Sequence, residues 1–240
     1  MALASRARPG PPLGAVPAAG VVIDEIDEIY DYEVLRRLED ATMFVVHPSA
    51  PLLVLGGNQP PDVLNDEGRR WPIRRRRGGG GVVALAPEDL WIDFWIPRED
   101  PRWRGDVRAA SVAVGEWWSA ALREGFDVRS DVHRGGLEGD SDLRVACFAG
   151  RGPGEVFVDD RKVVGVTQWH VREGNFLSTV LRATDSRDLV NLLREPRTDL
   201  TAALTHHDLH SLGVDDAETL TANLRDRSGP WRFRRLGLSL

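Results

Sequence analysis

The sequence predicts an α/β domain of the α+β type, in which helices flank a mixed, mostly antiparallel sheet. Short β-rich segments follow one another with only short turns between them, which favours antiparallel pairing. The segment 107–122 repeats apolar side chains at helical spacing, and helical periodicity returns after residue 186. With 240 residues, of which 42% are hydrophobic, the chain can bury a core in one large domain or two small ones.

The first elements are predicted from local sequence signals. A helix is predicted over 23–38, where acidic residues come early and Arg36 and Arg37 come late, as the helix dipole favours. The segments 43–47 and 52–55 are rich in β-forming residues and are separated by Pro-Ser-Ala-Pro, which predicts a β-hairpin. A Gly-Gly-Asn-Gln-Pro-Pro segment then ends this pattern.

The middle and the end of the chain supply the remaining elements. The segment 90–96 is almost continuously apolar, which indicates a central strand that is covered on both faces. Further strands are predicted at 82–85, 155–158, 162–168 and 175–181, and further helices at 186–193, 199–209 and 215–225.

The amino-terminal residues differ in composition from the rest of the chain. Residues 1–20 are rich in Ala, Pro and Gly, and their prolines interrupt any apolar segment that could act as a signal peptide, so we expect a disordered tail. We expect the core of the domain over 21–185 and a helical part of the same domain over 186–240.

Charge, hydropathy and cysteine count exclude several classes of partner. A net charge of −6 and a pI near 5.6 argue against a nucleic-acid-binding protein, which usually carries a basic surface. No apolar run approaches the roughly 20 residues that a membrane-spanning helix needs, so we expect no membrane partner. The single cysteine, Cys147, fits a reducing compartment, and we therefore expect a cytoplasmic protein.

One lysine, Lys162, stands among thirty arginines. Arginine serves as well as lysine wherever a diffuse surface charge is enough, but its guanidinium is planar and larger than an ammonium. A lysine that persists in such a chain is either a solvated surface residue or a group whose compact charge is required. The residues around Lys162 distinguish these two interpretations.

The densest signal in the chain is the segment 74–81, in which four arginines precede four glycines. Consecutive glycines let a backbone approach a ligand closely and present N–H groups to phosphate or carboxylate oxygens. Neighbouring arginines can add charge-assisted hydrogen bonds to the same anion. The alternative is a solvated hairpin, because glycine-rich segments are common.

Three blocks, taken together and in order, resemble the catalytic domain of the biotin and lipoate protein ligase superfamily, in its lipoate-protein ligase and octanoyltransferase branch. The resemblance covers about residues 43–182. The blocks are Gly57-Asn58-Gln59; Arg74-Arg75 with Gly78-Gly79-Gly80; and Gly154-Glu155 with Arg161-Lys162-Val163-Val164-Gly165 and Gln168.

The resemblance implies a mixed sheet that holds an acyl-binding tunnel, and it makes residues 21–185 the catalytic core. Members of this family attach lipoyl or octanoyl groups to a lysine of a carrier, here a lipoyl domain or a glycine-cleavage-H-type protein. The ligases use lipoate, ATP and Mg²⁺ and form an acyl-adenylate.

Site roles follow from the same resemblance. Lys162 would contact the acyl carbonyl and the adjoining phosphate, and Glu155 would lie near Mg²⁺ and the nucleotide. The substrate- and nucleotide-binding set would further include Asn58, Arg74, Arg75, Gly78, Gly79, Gly80 and Gly165.

Cys147 provides the main alternative. In one branch of the octanoyltransferases, a cysteine in a similar Cys-Phe setting takes the acyl group from an octanoyl carrier protein and needs no cofactor. Cys147 could equally be a buried apolar filler. Departures from the family pattern at Arg77, Ala84 and His170 keep a third reading open, a non-catalytic ligand-binding homologue.

Overall fold

The computed structural model of the protein describes residues 31–195, 198–204, 209 and 212–238. The predicted tail at 1–20, and the part of the helix predicted at 23–38 that precedes residue 31, lie outside these residues. The described remainder of that helix is short, spanning Tyr32–Leu35 (α1).

Two sheets and three further helices make up the fold. The strands are β1 (Thr42–Pro48), β2 (Leu52–Leu55), β3 (Ile73–Arg75), β4 (Val83–Leu85), β5 (Leu90–Pro97), β6 (Asp131–Val132), β7 (Val156–Val158), β8 (Arg161–Val171), β9 (Gly174–Leu181) and β10 (Arg232–Leu238). The helices are α2 (Val107–Phe126), α3 (Thr198–Ala203) and α4 (Ala217–Arg227).

The larger sheet has seven strands in the order β10-β1-β5-β9-β8-β7-β6. All neighbours are antiparallel except β1 and β10. The smaller sheet has the order β3-β2-β4. The predicted mixed, mostly antiparallel sheet flanked by helices is therefore confirmed. The apolar segment at 90–96 forms β5, whose residues are all buried.

The hairpin predicted from 43–47 and 52–55 is wrong. The first segment is β1, which is paired on both sides, with β10 and with β5, so it has no free edge for β2. The second segment is β2, the central strand of the smaller sheet. The Pro-Ser-Ala-Pro connection thus carries the chain from one layer to the next.

The carboxyl-terminal part is less helical than predicted. Within the helix predicted at 186–193, a 3-10 helix spans Arg187–Leu192. In the helix predicted at 199–209, α3 ends at Ala203, and residues 205–208 lie outside the described residues. After α4 the chain forms β10, a strand that helical periodicity did not predict. No helix among the described residues is both long and apolar enough to cross a membrane.

The core consists of two layers, one on each face of the larger sheet. Alternation along β5 sends Trp91 and Trp95 toward the smaller sheet and Ile92 and Phe94 toward α2 and α4. The helix α2 begins with Asp106, whose side chain accepts a hydrogen bond of 2.7 Å from the Ala109 N–H. The space between the two sheets is the part of the fold that holds the candidate site.

The packing of α2 onto the turn at Gly154 generates a stability prediction. A Cβ added at Gly115 would overlap the carbonyl oxygen of Gly154, which is backbone and cannot rotate away. We expect Gly115→Ala to lower the unfolding free energy by about 1–3 kcal/mol, although alanine is the better helix former by about 1 kcal/mol.

Urea denaturation measures this change, and Gly125→Ala in the same helix is the matched control. The atom nearest to a Cβ at Gly125 is the side-chain amide of Asn223, which can move. Equal stability of the two variants would contradict the proposed close approach.

Candidate active site

Three loops that are far apart in sequence stack on one another between the sheets. The Gln59 side-chain amide donates to the carbonyl oxygen of Val145 at 2.8 Å, and the Val82 N–H donates to the same oxygen at 2.8 Å. The Cys147 N–H donates back to the Val82 carbonyl at 2.9 Å. These bonds join the first two sequence blocks to the Cys147 loop, and the Thr167 hydroxyl, in the third block, donates to the Gly79 carbonyl oxygen at 2.9 Å.

The glycines of the Arg-Gly block are required mainly for this stacking. A Cβ at Gly56 would overlap the carbonyl oxygen of Gly80, and one at Gly78 would overlap the Thr167 hydroxyl. Gly80 also has φ 92°, which disfavours any other residue. Around Gly79, by contrast, no atom lies within 4 Å of an added Cβ. Of these glycines, Gly79 faces open space, where a ligand has room to approach.

Of the two predicted arginines, Arg75 does not face the interior. The Arg75 side chain is exposed and donates to the carbonyl oxygens of Gly56, Gly57 and Gln59 at 2.9, 3.1 and 2.6 Å, so it braces the loop that carries Asn58. Asn58 itself is exposed. Arg74 is half-buried at the edge of the smaller sheet.

The arginine that faces the interior is Arg76, which the sequence analysis did not single out. It is 3% exposed and donates to the carbonyl oxygens of Val54, Gly79 and Gly81 at 3.1, 2.8 and 2.7 Å. Strand alternation separates Arg74 and Arg76 from Arg75 and Arg77, but it does not distinguish Arg76 from Arg74.

A small cavity of about 30 Å³, partly open to solvent, lies between the two sheets. Most of its wall is apolar, which suits a hydrocarbon chain. The smaller sheet and its loop contribute Val54, Arg76, Val83 and Leu85, and the larger sheet and the Cys147 loop contribute Trp91, Cys147, Phe148, Gly165, Val166, Thr167, Ser178 and Val180.

A β-bulge turns Lys162 toward this side of the sheet. In the β7–β8 ladder Val156 pairs with Val164 and Phe157 pairs with Lys162, so Val163 has no partner on β7. Val163 and Val164 both pack in the core beneath α2. The extra residue therefore places Lys162 on the same face as Gly165, whereas strict alternation would place residues three apart on opposite faces.

Lys162 forms a buried ion pair with Glu155. Lys162 Nζ lies 2.6 Å from Glu155 Oε2, and the two side chains are 3% and 6% exposed. Nζ also donates to the carbonyl oxygen of Cys147 at 2.8 Å, and the Gly152 N–H donates to Glu155 at 2.6 Å. Burial raises the pKa of Glu155, and the ammonium of Lys162 opposes that rise.

The Phe148 ring separates the cavity from the pocket that holds Lys162. The ring borders both spaces, and Lys162 Nζ lies 5.5 Å from its centroid. A Cβ at Gly165 would lie 3.0 Å from this ring and 3.8 Å from Cys147 Sγ, so Gly165 makes room for both side chains. A second buried cation, Arg182, lies 5.3 Å from the same ring.

The described residues do not fit a bound Mg²⁺ in this conformation. Among them there is no group of three His, Cys, Asp or Glu side chains that could hold a metal ion. The Glu155 carboxylate, predicted as the metal ligand, is engaged by Lys162 and Gly152. Its role toward a metal stays a prediction.

A further acidic residue, Asp93 on β5, lies fully buried on the cavity side of the larger sheet. Its Oδ1 accepts a hydrogen bond of 2.8 Å from the Trp91 indole. Burial raises the pKa of Asp93 to about 7, although hydrogen bonds from Ser178 and Trp91 oppose the rise. The sequence analysis missed Asp93 because it treated the segment as uniformly apolar.

Solved structures with a similar fold include lipoate-protein ligases. Protein Ta0514 from T. acidophilum with bound lipoic acid matches with a TM-score of 0.67 and 13% identity over 92% of this chain and 88% of that one. Lipoate-protein ligase A bound with ATP matches with a TM-score of 0.59 and 13% identity over 79% and 73%. A bi-partite lipoate protein ligase, described with its E2 lipoyl domain from Thermoplasma acidophilum, matches with a TM-score of 0.60 and 12% identity over 89% and 82%.

These likenesses show a shared fold, because identities of 12–13% do not carry activity or residue roles from one chain to another. No protein-family model matches the sequence, and a search of curated proteins finds no significant match. The resemblance drawn from the three sequence blocks is thus confirmed at the level of the fold.

The buried ion pair predicts strong coupling between its partners. Glu155→Gln leaves a buried ammonium without a carboxylate, and we expect it to lower the unfolding free energy by about 3–5 kcal/mol. Adding Lys162→Met removes the unpaired charge and should restore a large part of that loss.

A double-mutant cycle from urea denaturation measures the coupling free energy. The control is Glu218→Gln, because Glu218 pairs with Arg235 on the surface, with side chains 68% and 47% exposed. We expect a loss below about 1 kcal/mol there. Additive effects of the Glu155 and Lys162 changes would contradict the ion pair.

Asp93 predicts a specific pH dependence of stability. Its folded-state pKa of about 7 lies above the ordinary value of 3.8, so the unfolded chain ionises first as the pH rises. The stabilising contribution of the protonated carboxyl is complete below about pH 4 and is lost as the pH rises toward 7, by at most about 4 kcal/mol.

The measurement is the unfolding free energy of the wild type minus that of Asp93→Asn, followed by urea denaturation across this range. We expect this difference to fall between pH 4 and 7 and to level off above pH 8. A difference that is independent of pH would contradict the raised pKa.

Proposed function

We propose that this protein is an enzyme of the lipoate-protein ligase type, which attaches a lipoyl or related acyl group to a lysine of a carrier protein through an acyl-adenylate. The observation that carries the proposal is the placement of Lys162. Its ammonium lies beside an apolar cavity between the sheets of a lipoate-ligase fold.

The chemistry fits that placement. Negative charge develops on carboxyl and phosphate oxygens when an acid is adenylated, and again when an amine attacks the adenylate. A fixed charge in a water-poor site stabilises both transition states. An ammonium has three N–H donors, of which Glu155 and the Cys147 carbonyl engage two, so one can bind a substrate oxygen.

The proposed substrates and partner follow from the structural relatives. One of them is bound with ATP, one with lipoic acid, and one is described with an E2 lipoyl domain. We therefore propose lipoate and ATP as substrates, and a lipoyl domain or a glycine-cleavage-H-type protein as the acceptor. When bound, Mg²⁺ would neutralise charge on the triphosphate.

A second candidate function is supported by the position of Cys147. Its side chain lines the cavity, and its carbonyl oxygen is held by Lys162. In an ATP-independent transferase the Cys147 thiolate would attack the carbonyl carbon of an acyl carrier thioester and release the carrier thiol. The acceptor amine would then attack the new thioester and regenerate the Cys147 thiol.

The mass of an acceptor lipoyl domain distinguishes the two functions. The protein is incubated with the acceptor and either lipoate plus Mg-ATP or octanoyl carrier protein. Modification that requires ATP supports the ligase. Modification from the thioester supports the transferase if the protein also gains an octanoyl adduct that Cys147→Ser abolishes. No mass change under either condition contradicts both functions and leaves a ligand-binding protein.

Lys162→Arg is the decisive variant. The guanidinium is planar and longer, so it cannot place a compact charge between Glu155, the Cys147 carbonyl and a substrate oxygen. We expect acyl transfer to fall at least about a hundredfold while unfolding stays cooperative.

Arg161→Lys is the matched control, because Arg161 is an exposed neighbour in the same strand. This variant should keep near-normal transfer. Near-normal transfer by Lys162→Arg would refute the proposed role of the ammonium.

A further inference from the structure

The cavity between the sheets is too small, in this conformation, for an acyl chain. Its volume of about 30 Å³ holds two or three water molecules, since each needs roughly 10–15 Å³. A wider pocket of about 280 Å³ lies next to it, is partly open to solvent and contains Lys162. An acid can therefore reach Lys162 with its chain between the sheets only if the wall that divides the two spaces moves.

Phe148 forms this dividing wall. Its side chain lines both the cavity and the wider pocket, and it is 6% exposed. Of the other residues that line the cavity, all but Arg76 and Cys147 belong to strands of the two sheets. Arg76 is held by hydrogen bonds to three backbone carbonyl oxygens. Phe148 is thus the large lining side chain that can turn without breaking a β-ladder or a hydrogen bond of its own.

The contacts that hold the Phe148 ring are of a kind that can be exchanged. The ring projects from a short 3-10 helix, Cys147–Ala149, and lies 5.5 Å from Lys162 Nζ and 5.3 Å from the guanidinium carbon of Arg182. Both cations also have a carboxylate partner, Glu155 for Lys162 and Asp89 for Arg182. Because neither ion pair includes the ring, both can persist when the ring leaves.

The wider pocket can receive the ring. Close to Phe148 it is lined by Gly139, Ala149 and Gly150, whose side chains are absent or small. When the ring turns toward them, the space that it leaves joins the cavity to the pocket of Lys162. An acyl chain then fits between the sheets with its carboxyl group beside the ammonium.

We propose that Phe148 is a displaceable plug, which closes the cavity in the free protein and leaves it when an acid with a hydrocarbon chain binds beside Lys162. This inference rests on the proposed function, because it assumes that such an acid is the ligand. Binding then requires the open conformation, so the apparent affinity is reduced by the fraction of molecules that are closed. A ring that formed part of a ready-made pocket would have the opposite effect, since its removal would weaken binding.

Cys147 reports the position of the plug in the absence of ligand. It is the single cysteine of the chain, and its side chain lines the cavity beside Phe148. We expect iodoacetamide to alkylate it about tenfold faster in Phe148→Ala than in the wild type, because the reagent no longer waits for a local opening. The rate in the urea-unfolded chain gives the unhindered limit. Phe126→Ala, in the last turn of α2 on the other face of the larger sheet, is the matched control and should leave the rate unchanged.

Titration calorimetry with octanoate and with lipoate measures the effect of the plug on binding. We expect both acids to bind about tenfold more tightly to Phe148→Ala than to the wild type, because no ring has to be displaced. Bound acid should also slow the alkylation of Cys147 in both proteins. Phe148→Leu retains more of the core packing and should change affinity in the same direction by a smaller factor, so it replaces the alanine variant if urea denaturation shows that the latter is unfolded.

The outcomes separate this inference from the proposed function, because neither measurement requires ATP or an acceptor. Faster alkylation and tighter acid binding in the Phe148 variants support the plug even if no acyl transfer is observed. An alkylation rate equal to that of the wild type, or acid binding that is no tighter, would overturn it even if the wild type transfers acyl groups. The failure of both acids to bind to any of these proteins would overturn it as well.

Discussion

The ion pair between Lys162 and Glu155 is the interaction on which the rest of the site depends. Two buried charges require full hydrogen bonding, because desolvation costs several kcal/mol per ion. The Gly152 N–H and the Cys147 carbonyl supply part of it, and one N–H of the ammonium is left for a substrate. The pair consequently fixes the loop before β7, the Cys147 loop and the start of β8 relative to one another, and Phe148 is held between the cavity and the ammonium.

The sequence was most informative where the signal is local. The strand at 90–96 and the long helix were predictable from apolar pattern, and Glu155 and Lys162 are close because a short turn joins their strands. Rejecting the predicted hairpin, by contrast, required knowing that β1 pairs with two other strands, β10 and β5. The strand β10 was missed because it lies at the edge of the sheet, where three of its seven residues are exposed arginines, two of them adjacent, and the apolar alternation typical of a strand is broken.

The orientation of individual side chains was not predictable from composition. Four consecutive arginines look equivalent in the sequence, yet Arg76 faces the cavity, whereas Arg75 braces an exposed loop. The glycines beside them resembled an anion-binding loop, but Gly78 makes room for the Thr167 hydroxyl and Gly80 adopts a positive φ. The orientation of these arginines and glycines depends on contacts between loops that are far apart in the sequence. No short segment of the sequence shows those contacts.

The bulge at Val163 lets two consecutive valines fill the apolar layer beneath α2 while Lys162 stays on the cavity side. Removing this one valine would pair Lys162 with Phe157 and Val164 with Val156 in an unbroken ladder. Regular alternation would then keep the ammonium on the same face as Gly165, now two residues away. The extra residue therefore adds apolar packing and local twist at the start of β8, and an in-frame loss of its codon would leave the ammonium on the cavity side.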